Sequence, residues 1–357
     1  MSLALLDDPQ LRENLVHLCL RGDTQKVLAV FEELPEKAKA LLSAPMDADG
    51  NSGLHLVAMH GHLRLLQELI SRGCETNAKN TRLQTPLHVA TCEDRAELVL
   101  ELLIAKCEVD AEDDRQQTAL HNASILGELE VMRVLLEHGG ANPALGESTR
   151  STPLLLTAHH GRVDQMELLL SKDPGLVNAA NENGWTALHL AAHGQEKKKS
   201  SLKGAKFLPA VKLLLEAKAA VDAVDEDSRT ALHRAADTGN CETVSALLAA
   251  GANIMAEDIS RWTPLHFACQ DGHVGVARTL LQAKAAVQRE HITCLTPLAL
   301  ATMENQVKVA ELLVSHKADP NLRAKGLASA AMVARKDPEK YNDILSLFEL
   351  GFVHHAD

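Results

Sequence analysis

The amino-acid sequence predicts an all-α fold, a solenoid of stacked helix-turn-helix repeats with short β-hairpin loops between them. Three observations carry that expectation. A tetrapeptide of the form Thr-Pro/Ala-Leu-His recurs along most of the 357 residues. Its copies lie 33 or 34 residues apart, with one longer step. Each copy opens a segment whose apolar residues follow helical spacing. A period of this size belongs to supersecondary units that stack side by side, because one unit cannot bury its apolar face alone.

The copies are Thr85-Pro86-Leu87-His88, Thr118-Ala119-Leu120-His121, Thr152-Pro153-Leu154-Leu155, Thr186-Ala187-Leu188-His189, Thr230-Ala231-Leu232-His233, Thr263-Pro264-Leu265-His266 and Thr296-Pro297-Leu298-Ala299, led by a weaker Ser52-Gly53-Leu54-His55. The successive steps are 33, 33, 34, 34, 44, 33 and 33 residues. They place ten repeats at about 8–46, 47–79, 80–112, 113–146, 147–180, 181–224, 225–257, 258–290, 291–323 and 324–357. Residues 1–46 read as an N-terminal capping unit, 47–323 as the array and 324–357 as a C-terminal capping unit. In the first, Gly22-Asp23 followed by Val27, Leu28 and Phe31 marks a helix end and a second helix without the Thr-Pro start. In the last, Ser329 to Ala334 sits in register for a final repeat. End repeats with one polar face are what a stack requires.

Residues 258–290 show how one repeat is written. Thr263 precedes the helical pattern, and its hydroxyl can accept from a backbone N–H two or three residues on. Pro264 takes the first helical position, where its missing N–H costs nothing. His266 stands three residues after the cap and can reach back to it, as Glu does in a capping box. Leu265 and Ala268 face inward, and Gly272 ends the helix. Val276, Leu280 and Leu281 mark a second helix. A short polar, hairpin-like loop then leads to Thr296.

The T-P-L-H-x-A run, the Gly after the first helix and the V-x-x-L-L stripe resemble the ankyrin repeat family. Gly184-Trp185-Thr186-Ala187-Leu188-His189-Leu190-Ala191-Ala192 and Leu247-Leu248-Ala249-Ala250-Gly251-Ala252-Asn253 are similar to it almost word for word. The resemblance covers roughly residues 8–350. It implies short antiparallel helix pairs with projecting hairpins. It also implies that Asn77 and Asn178, in Thr-Asn-Ala and Val-Asn-Ala, occupy the hairpin position that an asparaginyl hydroxylase modifies in this family.

The chain departs from that pattern in three places. The family has Gly two residues before the Thr, where φ is positive. Gly50 and Gly184 fit, whereas Leu83, Gln116, Arg150, Ser228, Arg261 and Cys294 stand at the other tips. Bulky residues are costly in that region, so these tips are expected to adopt another turn. Leu155 and Ala299 replace the motif His in repeats five and nine, which are expected to be locally less stable. The 44-residue step places an insertion near 195–206, after Gly194 closes the first helix of repeat six and before Val211–Leu215 of its second. Its five Lys, one Glu and adjacent Ser200 and Ser201 suit a solvated loop, or a docking loop switched by phosphorylation.

A net charge of −12 without a basic stripe argues against a nucleic-acid partner and keeps an extended array soluble. With 46% hydrophobic but only 2% aromatic residues, the core must be built from Leu, Ala, Val and Ile. Seven cysteines without a C-x-x-C pair read as free thiols in a reducing compartment. An intracellular location is expected, cytoplasmic, with the nucleus also open. The N-terminal residues lack the basic flank and apolar run of a signal peptide. No apolar stretch approaches the roughly 18 residues of a membrane span, so membrane insertion is not expected.

Eighteen histidines invite a metal or catalytic reading. Six of them, His55, His88, His121, His189, His233 and His266, are motif positions with a capping role. They recur one layer apart, about 10 Å by helix diameter, whereas zinc ligands converge within about 2 Å of the metal. The pairs His60/His62, His159/His160 and His354/His355 lack a matching Cys or carboxylate at ligand spacing. The sequence holds no G-x-S-x-G, no phosphate-cradling loop and no H-E-x-x-H. No catalysis, cofactor or metal is expected.

The expected function is non-catalytic protein–protein recognition by an adaptor or scaffold, monomeric by itself. Hairpin tips and first helices should form an elongated concave face for a protein or peptide. The candidate contact residues are His60, Cys92, Ile125, His159, His160, Trp185, His193, Arg229 and Trp262. The two tryptophans read either as anchors on projecting loops or as fillers packing on the next tip. Acidic tip residues such as Asp113, Asp227 and Asp258 alternate with Arg82, Arg115, Arg150, Arg229 and Arg261, so no groove of a single sign is expected. Two alternatives remain open: a regulatory subunit that recruits substrates to a larger complex, and a His-rich metal-binding or enzymatic protein.

Overall fold

The computed structural model describes residues 8–194, 207–287, 295–322 and 327–353. Regular structure among these residues is helical, with one isolated antiparallel bridge between Ala180 and Thr186. The chain divides into two compact units, Met1–Thr157 with Asp164–Leu176, and Ala158–Val163 with Val177–Asp357.

The first unit opens with three helices, Pro9–Arg21, Thr24–Glu33 and Pro35–Ser43. Asp8 and Asp23 cap the first two by accepting from Leu11 N and Lys26 N at 3.1 and 3.2 Å. Helix pairs follow: Gly53–His60 with Leu63–Ser71, Pro86–Cys92 with Ala96–Ile104, and Ala119–Leu126 with Leu129–Glu137. In the second unit the pairs are Ala187–His193 with Leu208–Glu216, Ala231–Thr238 with Cys241–Ala249, Pro264–Gln270 with Val274–Gln282, Pro297–Met303 with Val307–Ser315, and Ala330–Lys336 with Asn342–Val353. Repeat five contributes Pro153–His159 and Val163–Lys172.

The apolar stripe supplies the core. Leu54, Leu87, Leu120, Leu188, Leu232 and Leu265 on the first helices are buried, as are Leu66, Val99, Met132, Val244 and Ala277 on the second. Each buried Leu contributes about 1.5–3 kcal/mol. Ala123, Ala191, Ala235, Ala268 and Ala301 are fully buried, and their small side chains let successive first helices pack closely.

Each motif start that keeps its His forms the capping box that the sequence predicts. The hydroxyls of Ser52, Thr85, Thr118, Thr186, Thr230 and Thr263 receive a backbone N–H, and the His three residues on receives the cap's own N–H. These N–H to Nδ1 distances are 3.0–3.2 Å. A backbone N–H can only donate, so Nδ1 is the unprotonated nitrogen and the proton sits on Nε2. That proton is used in the next repeat. His55 donates to Gln84 O at 2.8 Å, His88 to Gln117 O at 3.0 Å, His189 to Arg229 O at 3.0 Å and His233 to Trp262 O at 3.1 Å. At these four positions the motif His therefore links neighbouring repeats, a role beyond capping that the sequence reading missed, whereas Nε2 of His121 has no partner among the described residues.

The tips without Gly do not take another turn. Leu83, Gln116, Arg150, Ser228 and Arg261 all lie at φ between 56° and 65°, the same left-handed region as Gly50 and Gly184. The reason lies three residues earlier. Oδ1 of Asn80 accepts from the N–H groups of Arg82 and Gln84 at 3.0 Å each. Asp113, Asn181, Asp225 and Asp258 repeat the pattern at 2.8–3.1 Å. A left-handed residue with a side chain costs roughly 1–2 kcal/mol. Two hydrogen bonds, charge-assisted at the aspartates, offset that cost. Successive tips are then tied together, Thr81 N to Asp49 O at 2.9 Å, Asp114 N to Arg82 O at 3.0 Å, Glu226 N to Asn183 O at 3.1 Å and Ile259 N to Asp227 O at 2.9 Å. Cys294 and the insertion at 195–206 lie outside the described residues.

Repeat five breaks the pattern twice. Glu147 replaces the short turn-forming residue and reaches Ser151 N only at 3.4 Å. Leu155 offers no nitrogen, so the buried Thr152 hydroxyl has no partner among the described residues, and Gln165, 3% exposed, leaves both amide atoms without one. Each orphaned polar group costs about 1–3 kcal/mol. Repeat nine retains half its cap, with Thr296 Oγ1 accepting from Ala299 N at 3.1 Å. Amides of Pro153–Lys172 should therefore exchange at least about tenfold faster than those of Ala231–Ala249. Equal protection would contradict this.

Candidate functional site

Successive repeats bring three positions onto one face: the residue before the motif Thr, and the fourth and seventh residues after it. A helix presents the last two on one side, one turn apart. In repeats six to eight these positions hold Trp185, Leu190 and His193; Arg229, Arg234 and Asp237; and Trp262, Phe267 and Gln270.

Their side chains interlock. The Arg234 guanidinium lies 4.1 Å from the centre of the Trp185 ring. It is 8% exposed and bonds Oδ2 of Asp225, itself buried. Trp185 also meets His193 edge-on at 5.5 Å. Arg229 sits 5.0 Å from the Phe267 ring and pairs with buried Asp258 at 3.3 Å and with Asp227 at 3.6 Å. Phe267, 6% exposed, packs on Trp262 at 5.3 Å and on His233 at 5.7 Å. Trp262 stacks on His266 at 6.1 Å. The fourth residue after one Thr thus covers the residue before the preceding Thr: Arg234 on Trp185, Phe267 on Arg229.

Both tryptophans are half-buried on this face and do not project from the tips. Each is a packed filler with one exposed edge. Of the other candidates, His193 and Arg229 join this assembly. His159 and His160 pack edge-on at 5.1 Å, both half-buried. Burial lowers the pKa of His159 and His193 below the ordinary imidazole value. His60, Cys92 and Ile125 lie in the first unit, the first two exposed and Ile125 half-buried. His60 bonds Leu56 O at 3.0 Å and stacks on His62, which donates to Leu20 O at 3.0 Å.

Asn77 and Asn178 are links between repeats. Their Oδ1 atoms accept from Glu108 N and Ala220 N, each at 2.8 Å, and Asp110 and Asp222 do the same for Asn142 and Asn253. Ser200, Ser201, His354 and His355 lie outside the described residues. Where the motif histidines bridge repeats, both ring nitrogens are engaged and no lone pair is left for a metal.

The sequence matches the family described as Ankyrin repeats (3 copies) over residues 27–113, 54–147, 200–258 and 256–324, together more than half of the chain. The chain belongs to the ankyrin repeat family. It is 30% identical to the nuclear factor NF-kappa-B p105 subunit of Gallus gallus over 235 residues, 63% of this chain and 22% of that protein. The chain thus spans about a fifth of that relative's length. A crystal structure of an ankyrin repeat domain from Acinetobacter baumannii AYE superposes with a TM-score of 0.50 at 28% identity, covering 56% of this chain and 98% of the bacterial one. Ankyrin repeats in general mediate protein–protein interaction. No helix among the described residues is long and apolar enough to cross a membrane.

Sequence reasoning missed Arg234, Phe267, Asp225 and Asp258 as parts of this face. Ankyrin register held the signal: the fourth position after the Thr is Leu, Val or Asn in six of the repeats and Arg or Phe in these two.

Proposed function

We propose that this ankyrin protein is a non-catalytic adaptor or scaffold that binds a protein or peptide on the first-helix face of its second unit. One observation carries the reading. Trp185 with Arg234, and Arg229 with Phe267 and Trp262, form two packed groups on one face in which each ring or guanidinium is held by a neighbour, and buried Asp225 and Asp258 hold the two arginines. Tryptophan and arginine dominate binding hot spots, and side chains already fixed lose little entropy when a partner docks. The partner is protein in preference to nucleic acid, because among the described residues this face keeps carboxylates that form no ion pair. By itself the chain acts as a monomer.

Affinity capture from the source cell tests this. Trp185→Ala and Trp262→Ala are each expected to lower recovery of the wild-type partners at least about tenfold while the thermal transition stays cooperative. Undiminished recovery with both variants would refute the assignment of the face.

A further inference from the structure

The charges on this face do not balance. Arg229 and Arg234 are each matched by a buried carboxylate, Asp258 and Asp225. Arg261 at the tip pairs with Glu257 at 3.2 Å. On the opposite border, where the first helices end, stand Asp237, Asp271 and Glu304 of repeats seven, eight and nine. Among the described residues none of the three forms an ion pair. Asp237 is half-buried and the other two are exposed. Burial, then the like charges of Asp237 and Glu304, push the Asp271 pKa above the usual carboxylate value against the pull of His273. Asp271 therefore stands among like charges, and a cation arriving from outside relieves that repulsion. His193 feels the charge of Asp237 at one end of the row, and Lys340 feels that of Glu304 at the other.

Apolar surface lies beside the row. Met303, in the same helix turn as Glu304, is 41% exposed, and Ile259 at the tip next to Trp262 is 66% exposed. The half-buried edge of Trp262 lies between tip and helix. A partner chain crossing repeats seven to nine meets apolar contacts under its middle and unmatched negative charge along one side.

We infer that the occupant of this face is an extended segment of another protein in which apolar residues alternate with lysine or arginine, the basic side chains lying on Asp237, Asp271 and Glu304 and the apolar ones on Trp262, Ile259 and Met303. This rests on the protein-recognition reading above and adds the chemistry of the partner. Charge complementarity sets which segments dock and speeds their arrival, while the aromatic edge holds them.

The test is selection from a displayed library of random linear peptides on the full chain, followed by binding titrations of the selected peptides. The expected result is enrichment of peptides mixing Lys or Arg with apolar residues. Their affinity should fall about tenfold or more in an Asp237→Asn, Asp271→Asn, Glu304→Gln variant, and weaken with added salt. That variant should melt at or above the wild-type temperature, because it removes repulsion, so lost binding would not reflect unfolding. Enrichment of acidic or uncharged peptides, no enrichment, or equal binding by the triple variant would overturn the basic-segment assignment. If those peptides still required Trp185 and Trp262, recognition by this face would stand without it. Insensitivity to both tryptophans would end that reading too. Self-association in sedimentation that the triple variant abolishes would give the face to a second copy of the chain and overturn the proposal.

Discussion

Lowering the pH from 7 to 4 is expected to unfold this protein before its carboxylates are fully protonated, through its six buried motif histidines, four of which bridge repeats. Burial pushes the pKa of His55, His88, His121, His189, His233 and His266 below the ordinary imidazole value, and that of His266 down to about 4. In the unfolded chain these rings titrate near 6.5. Between the two values the unfolded state binds more protons, so acid favours unfolding. The stabilisation is complete above about pH 6.5 and is lost as pH falls toward the folded values. For His266 alone the loss by pH 4 is about 3 kcal/mol. The geometry explains why protonation is so costly: Nδ1 already receives a backbone N–H, and a second proton there would face that donor. Urea denaturation as a function of pH should show uptake of more than one proton on unfolding between pH 6 and 4.5. Uptake of less than one would contradict the bridging role.

The largest single-residue effect is expected at Asp225. Its Oδ1 receives the N–H groups of Asp227 and Arg229 at 3.0 and 2.9 Å, and its Oδ2 receives Arg234. Asp225→Ala removes both tip bonds and leaves a buried guanidinium without its anion against Trp185. Removing one partner of a buried pair costs about 3–5 kcal/mol. Asp225→Asn should cost less, because its amide oxygen can still receive both N–H groups, as Asn80 and Asn181 do. The order Ala worse than Asn, measured by urea denaturation, separates the ion pair from the turn. A loss below about 1 kcal/mol for Asp225→Ala would place Arg234 in water.

What was legible in the sequence was local. Thr263, Pro264 and His266 specify a helix start within four residues, and the structure forms that start wherever the motif is intact. The tips misled because positive φ was equated with Gly. At Leu83 and Arg261 the deciding residues are Asn80 and Asp258, whose side chains hold two N–H groups and make a left-handed Leu or Arg tolerable. That signal was present, at the same period as the Thr. The recognition face was only half legible. Trp185 and Trp262 stood out by type, but the residues that hold them do not announce themselves. Arg234 lies 49 positions from Trp185 along the chain, and only the stacking register brings them together. At Asp225 nothing local in the sequence shows the second carboxylate oxygen facing a guanidinium.

Hydrogen exchange of the full chain, free and bound to a partner recovered by affinity capture, tests the central claim most directly. Protection should appear in Trp185–His193, Arg229–Thr238 and Trp262–Gln270, with the second helices Cys241–Ala249 and Val274–Gln282 unchanged. Protection concentrated in those second helices, with the first-helix face unaffected, would contradict it.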